Sequence, residues 1–221
     1  MKNSRKISMI SIKYKYQYGF TMIELLIYIA MTTMLSASIL KVYVSNTKVS
    51  ATQKDIADMF QNLRSTMNMM TTEIRRAGCD PLSTNKGRTP TSDDYLGFLD
   101  NSDDDLDTDG NSIHFTHDST EPSDGWAYSN NENIAYYVKT TDGEQNLYRW
   151  CGVTDTEYLL VRSIQSLDFE YYDSDNNQFT IVNDSDREKI RVIRITIVGQ
   201  SKRLKREQTL TAYVRIRNLD L

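Results

Sequence analysis

Residues 19–40 read GFTMIELLIYIAMTTMLSASIL, and the only charged side chain among them is Glu24. From Phe20 to Leu40 there are about 21 residues, which as an α-helix span roughly 31 Å, the thickness of a bilayer's hydrocarbon core. Lys41 closes the run, and Lys2, Arg5, Lys6, Lys13 and Lys15 precede it with no acidic residue through position 19. By the positive-inside tendency the N-terminus stays cytoplasmic and everything after Lys41 is exported. The competing reading is a secretory signal peptide cut near Ser36-Ala37-Ser38. A long stretch ahead of the apolar run and a carboxylate inside it speak against that. A charge at such a place costs on the order of 3 kcal/mol unless it finds a partner or snorkels to the interface.

The helical pattern outlasts the membrane segment. Val49, Ile56, Phe60, Leu63, Met67, Met70, Ile74 and Ala77 form one apolar stripe, expected to pack on a sheet of the same chain in preference to a free coiled coil. Arg75 and Arg76 suit a final turn, Gly78 is a natural C-cap, and Pro81 forbids continuation. Beyond Asp80, residues 83–133 are rich in Ser, Thr, Asn, Asp and Gly, with apolar islands at Tyr95–Leu99 and Ile113–Phe115. Strand signals follow at Asn133–Lys139, Asn146–Trp150, Tyr158–Val161, Ser163–Tyr172, Lys189–Val198 and Gln208–Arg217. Turn-like breaks fall at Thr141–Gly143, Asp173–Asn177 and Gly199–Lys202. The fold class is α+β, a ladle whose handle is the long N-terminal membrane-spanning helix and whose head is an antiparallel sheet.

The 221 residues suffice for one domain with added elements, and a mean hydropathy of −0.55 shows that the apolar residues are unevenly placed. The net charge of −4 hides an asymmetry. Thirteen acids lie between Asp80 and Asn133 against Lys86 and Arg88, and ten bases between Arg187 and Arg217 against Glu188 and Glu207. The C-terminal bases alternate with Ile and Val, which places them on one solvated face of a sheet, so no nucleic acid is expected as a partner.

GFTMIELL closely resembles the type IV prepilin motif, through Gly19, Phe20, Thr21, Ile23, Glu24, Leu25 and Leu26, with Met22 where leucine is common. The resemblance implies that a prepilin peptidase cuts the Gly19–Phe20 bond, removes the basic leader 1–19 and methylates the new amine of Phe20. It also implies that Glu24 is the docking charge for the amine of a neighbouring subunit. That amine is cationic near neutral pH, with an unperturbed pKa of about 8. In a low dielectric the pair favours correct register, because a misaligned subunit leaves a buried charge unpaired. The proline found beyond the middle of the membrane segment in many major pilins is absent here.

The segments Arg75–Cys79, Asn133–Tyr137, Leu147–Arg149 and Ser166–Phe169 are similar to the PilW-type minor pilins and the related J-type pseudopilins. In that family such subunits are scarce and prime assembly or sit at the filament tip. The division implied is leader 1–19, membrane half of the helix 20–44, amphipathic half 45–78 and exported head 79–221, with an acidic loop over about 83–133. The function implied is that of a minor type IV pilin, not an enzyme, anchored singly in the bacterial inner membrane with its head periplasmic and then built into a pilus. Its partners are the prepilin peptidase, other minor and major pilins and inner-membrane lipid. Two other functions stand beside it. One is a J-type minor pseudopilin of a type II secretion system, and the other a membrane-anchored, calcium-dependent adhesion module that never polymerises. A DNA-uptake filament has only the basic C-terminal strands in its favour.

No cofactor is required. Asp105, Asp107 and Asp109, followed by Gly110, match the opening of a calcium loop, but the twelfth position is Thr116 where a glutamate is needed. A solvated acidic loop and a calcium-stabilised one are both open. In an exported body a disulfide between Cys79 and Cys151 is expected, closing a loop of about 73 residues worth roughly 4 kcal/mol, against two unconnected thiols. His114 and His117, beside the acidic loop, read as surface residues, whereas Tyr136, Tyr137, Tyr171 and Tyr172 read as sheet packing. There is no GxSxG, Walker loop or HExxH.

Overall fold

The computed structural model describes residues 19–80, 95–99, 108–118, 132–152, 154–201 and 206–216. Helix α1 runs Met22–Ile74. Thr21 starts it, with its Oγ1 accepting the Glu24 N–H (3.3 Å) and its carbonyl accepting the Leu25 N–H (3.1 Å). Past Ile74 the backbone tightens into i→i−3 bonds, Arg76 N–H to Glu73 O and Ala77 N–H to Ile74 O. Gly78 then ends the turn in the left-handed region (φ 71°), and its N–H leaves the helix for the carbonyl of Thr116.

The chain forms two compact units, Met1–Ser50 and Ala51–Leu221. The described part of the first is the apolar half of α1. In it the hydroxyls bond back to their own helix, Thr32 to Tyr28 O (2.6 Å), Thr33 to Ala30 O (2.8 Å) and Ser38 to Met34 O (3.0 Å). These polar groups therefore need no water.

The second unit holds two antiparallel four-stranded sheets where the sequence suggests one. The first comprises β1 (Ile113–Thr116), β2 (Asn133–Thr141), β3 (Glu144–Cys151) and β4 (Thr156–Val161), in that order. Asp142 (φ 56°) and Gly143 (φ 77°) join β2 to β3, a two-residue turn whose left-handed residues match the strand twist. The second sheet comprises β5 (Ile164–Tyr172), β6 (Gln178–Phe179), β7 (Val192–Gln200) and β8 (Glu207–Arg215), ordered β6-β5-β7-β8. Helix α2 (Asp184–Glu188) precedes β7, capped by the Asn183 side chain on the Asp186 N–H. Lys189 caps the other end of α2, so β7 opens at Val192, later than the sequence pattern suggests.

Leu63, Met67, Met70 and Ile74 of α1 share one core with Phe115, Tyr136 and Leu147 of the first sheet and Phe169, Ile193, Ile195 and Ile197 of the second. Each such side chain contributes roughly 1.5–3 kcal/mol on burial. The helix packs closely on β7 at Gly199, where a Cβ would lie 2.5 Å from Leu63 Cδ1. The expected stripe is thus buried from Leu63 to Ala77, while Val49 is exposed. The α+β expectation holds.

Candidate functional site

Gly19 and Phe20 are exposed and lie just outside α1. A Cβ added at Gly19 would meet nothing within 4 Å, so no packing within the chain calls for a glycine there. Phe20 is 75% exposed, its ring edge-on to Tyr28 at 5.9 Å. Glu24 sits in the first turn of α1, half-buried, three residues after the Thr21 cap. Thr21-Met-Ile-Glu24 is the pattern of a capping box, in which the N3 carboxylate faces the unpaired N–H groups at the positive end of the helix. The cap contributes about 1 kcal/mol and the dipole about 0.3–1 kcal/mol. The half of the box that the structure shows is the Thr21 hydroxyl on the Glu24 N–H, a cap that the sequence reading missed although T-M-I-E carries the signature.

Downstream, α1 presents apolar side chains on every face, including Met22, Ile23, Leu26, Met31, Met34 and Leu40. Such surface marks a membrane or partner contact. Among the described residues this is the one helix long and apolar enough to cross a membrane.

Asp105 and Asp107 lie outside the described residues. Asp109 lies within them, and its Oδ1 accepts the N–H groups of Asn111 (2.6 Å) and Ser112 (2.8 Å). Its carbonyl accepts the Tyr171 hydroxyl (2.5 Å), and the Gly110 carbonyl accepts the Phe169 N–H (2.8 Å). The turn thereby clasps β5. Among the described residues no three His, Cys, Asp or Glu side chains group as a metal site.

The expected disulfide is not formed, and both cysteines are free. The Cys79 carbonyl accepts the Asp118 N–H at the outer edge of the β1 strand, whereas Cys151 is on β3. Three strand spacings put about 14 Å between them, against a Cα separation under about 7 Å for a bridge. The Cys151 Sγ accepts a hydrogen bond from Arg149 instead.

Both histidines are buried, not on the surface as expected, because β1 lies between β2 and the segment around Phe98. His114 Nε2 meets Asn133 Oδ1 at 2.7 Å, but its Nδ1 and both nitrogens of His117 have no partner. Burial pushes each imidazole from 6.5 down to about 4. Tyr136, Tyr137 and Tyr171 are buried as expected, and Tyr172 is half-buried with its hydroxyl donating to Glu170.

A polar tie invisible to sequence reasoning joins α1 to the first sheet. Arg149 on β3 donates to Glu73 through Nε (3.0 Å) and Nη2 (3.2 Å), and Tyr136 on β2 donates to the same carboxylate. Burial alone would depress the guanidinium, but the hydrogen bonds and charge of Glu73 outweigh it and raise its pKa above the usual arginine value.

Two family models match the chain: prokaryotic N-terminal methylation motif over residues 14–40, and prepilin peptidase-dependent protein B over residues 53–216. No curated protein matches it.

Proposed function

The chain belongs to the prepilin peptidase-dependent protein B family, and from that premise we propose that it is a minor type IV pilin acting in the initiation of a pilus or at its tip. Pilin-like families are structural, and this chain is a membrane-anchored, single-pass member with the N-terminal methylation motif. In the proposed pathway the basic leader stays cytoplasmic, the prepilin peptidase cuts Gly19–Phe20, and the amine of Phe20 is methylated. The subunit then leaves the inner membrane to join other pilins, with Glu24 receiving a neighbour's terminal amine.

The observation that carries this reading is the position of the capped helix start. The Gly19–Phe20 bond lies outside α1 in exposed backbone, while Glu24, three residues past the cap, is fixed in the first turn. A peptidase can therefore reach the bond without unwinding the helix, and the open space around Gly19 leaves the demand for glycine to the enzyme's subsite. The Glu24 carboxylate, in the first turn and near the positive end of the helix, can accept a hydrogen bond from a cation.

Mass spectrometry of the mature N-terminus tests the cleavage. N-methylphenylalanine at Phe20 is expected, and a chain beginning near Ile39 would replace this reading with an ordinary signal peptide. Glu24→Ala is expected to be cleaved normally and to be lost from sheared filaments. Normal filaments combined with a secretion defect in cells lacking the protein would move it to a secretion pseudopilus.

A further inference from the structure

At one end of the paired sheets the inward-facing positions stop being apolar. On β2 the side chains sharing the core-facing register run Ile134, Tyr136, Val138 and then Thr140, and on β3 Cys151, Arg149, Leu147 and then Gln145, which pairs with Thr140; at this end of the rows Thr140 and Gln145 are exposed. On β5 a bulge between Ile164 and Ser166 leaves Gln165 without a cross-strand partner, and bulges of this kind re-aim side chains next to functional sites. Thr140, Gln145 and Gln165 line a cavity of about 310 Å3, with Val138 and Leu167 as its apolar part and the Asp109–Ser112 turn as its wall. That volume is at the lower end of small-molecule sites, about 300–1,000 Å3.

The chemistry of the lining is selective. Among the described lining residues there is no cation to hold an anionic ligand. The single carboxylate, Asp109, already spends Oδ1 on two backbone N–H groups. Among the described residues, no side-chain hydrogen bond occupies Thr140, Gln145 or Gln165. Each amide offers a donor and an acceptor in one plane and each hydroxyl offers both, which complements adjacent hydroxyls on a ring, while the apolar part suits a ring's C–H face. The wall is set in advance, because Tyr171 and Phe169 of β5 hold the carbonyls of Asp109 and Gly110. A wall fixed before binding loses little entropy on closing around a ligand.

We infer that this cleft binds a short stretch of neutral saccharide. The site lies wholly within the second unit and does not depend on processing or filament assembly, so its fate and that of the pilin reading are separable.

The test titrates the full-length chain in detergent micelles with lactose, maltose and N,N′-diacetylchitobiose by calorimetry or ligand-observed NMR. At least one is expected to bind with a Kd of about 10 mM or tighter. Gln145→Leu and Gln165→Leu should each weaken that affinity about 5- to 10-fold with the melting temperature unchanged. The charged 3′-sialyllactose should bind more weakly than lactose. Absence of binding by all three neutral sugars overturns the inference. So does undiminished binding by a folded double variant, or preferential binding of a tri-alanine peptide.

Discussion

Lowering the pH from 7 to 5 should destabilise the second unit far more than its carboxylates alone would. His114 and His117 are 2% and 1% exposed, and burial holds both near a pKa of about 4 against 6.5 when unfolded. Between those values the unfolded chain binds more protons than the folded one, so stability rises with pH and falls on acidification. Integrating from pH 7 to 5 gives about 2 kcal/mol for each histidine, about 4 kcal/mol together, out of a typical total of about 5–15 kcal/mol. The loss continues to pH 4, below which both forms are protonated. The groups facing His117 are Arg76, which lowers its pKa further, and Glu132, Glu73 and Asp118, which raise it without reversing the effect of burial. His114 faces Asn133 and the edge of Trp150. The window separates the histidines from Glu157, Asp173 and Asp186, whose pKa values are held below the usual range by hydrogen bonds from Tyr137, Asn177 and Lys189 respectively. Urea titrations at both pH values, followed by tryptophan fluorescence, are the assay. With a slope of about 2 kcal/mol/M, the midpoint should drop by about 2 M. His117→Leu removes two unpartnered nitrogens and no hydrogen bond, so it should change stability at pH 7 by under about 1 kcal/mol and halve the acid shift. A wild-type loss below about 1 kcal/mol, or an unchanged shift in His117→Leu, would refute the reasoning.

Other outcomes follow from the polar ties. Glu73→Ala leaves the Arg149 guanidinium buried without its carboxylate and should cost about 3–5 kcal/mol in chemical denaturation, with Glu73→Gln intermediate. Asp109→Ala frees two backbone N–H groups and should cost about 1–2 kcal/mol. If that loss is the same with and without millimolar calcium, and calcium does not raise the melting temperature of the wild type, the calcium-loop expectation for Asp105, Asp107 and Asp109 fails.

What was legible in the sequence is what short-range physics encodes. The apolar stripe, the Gly78 stop and the Asp142-Gly143 turn depend on residues a few positions apart; the stop and the turn stand as read, and of the stripe read from Val49 the part from Leu63 to Ala77 is buried while Val49 is exposed. Pairing is another matter. Two sheets or one is decided by which strands meet across long separations, and the alternation within a strand is the same either way. The Glu73–Arg149 tie spans 76 residues and leaves no local trace. The histidines were misread because their acidic neighbourhood in sequence is not their neighbourhood in space, where Phe98, Phe115 and β2 enclose them. Cys79 and Cys151 show the converse, since an exported body favours a bridge that the strand order then forbids. Thr21 was open to discovery, because a threonine three residues before a glutamate at a helix start is a local signal overshadowed by the charge.

The way α1 is fastened also has a mechanical meaning. Leu63, Met67, Met70 and Ile74 form a row along the helix axis, and the fork of Arg149 on Glu73 adds a two-point tie near the end of that row. A pull along the axis shears the whole row at once, so its contacts divide the load. A pull across the axis peels them singly, and each bears the full force in turn. Because rupture under force follows the barrier to first opening, this unit resists tension along its helix and yields sooner to a sideways pull.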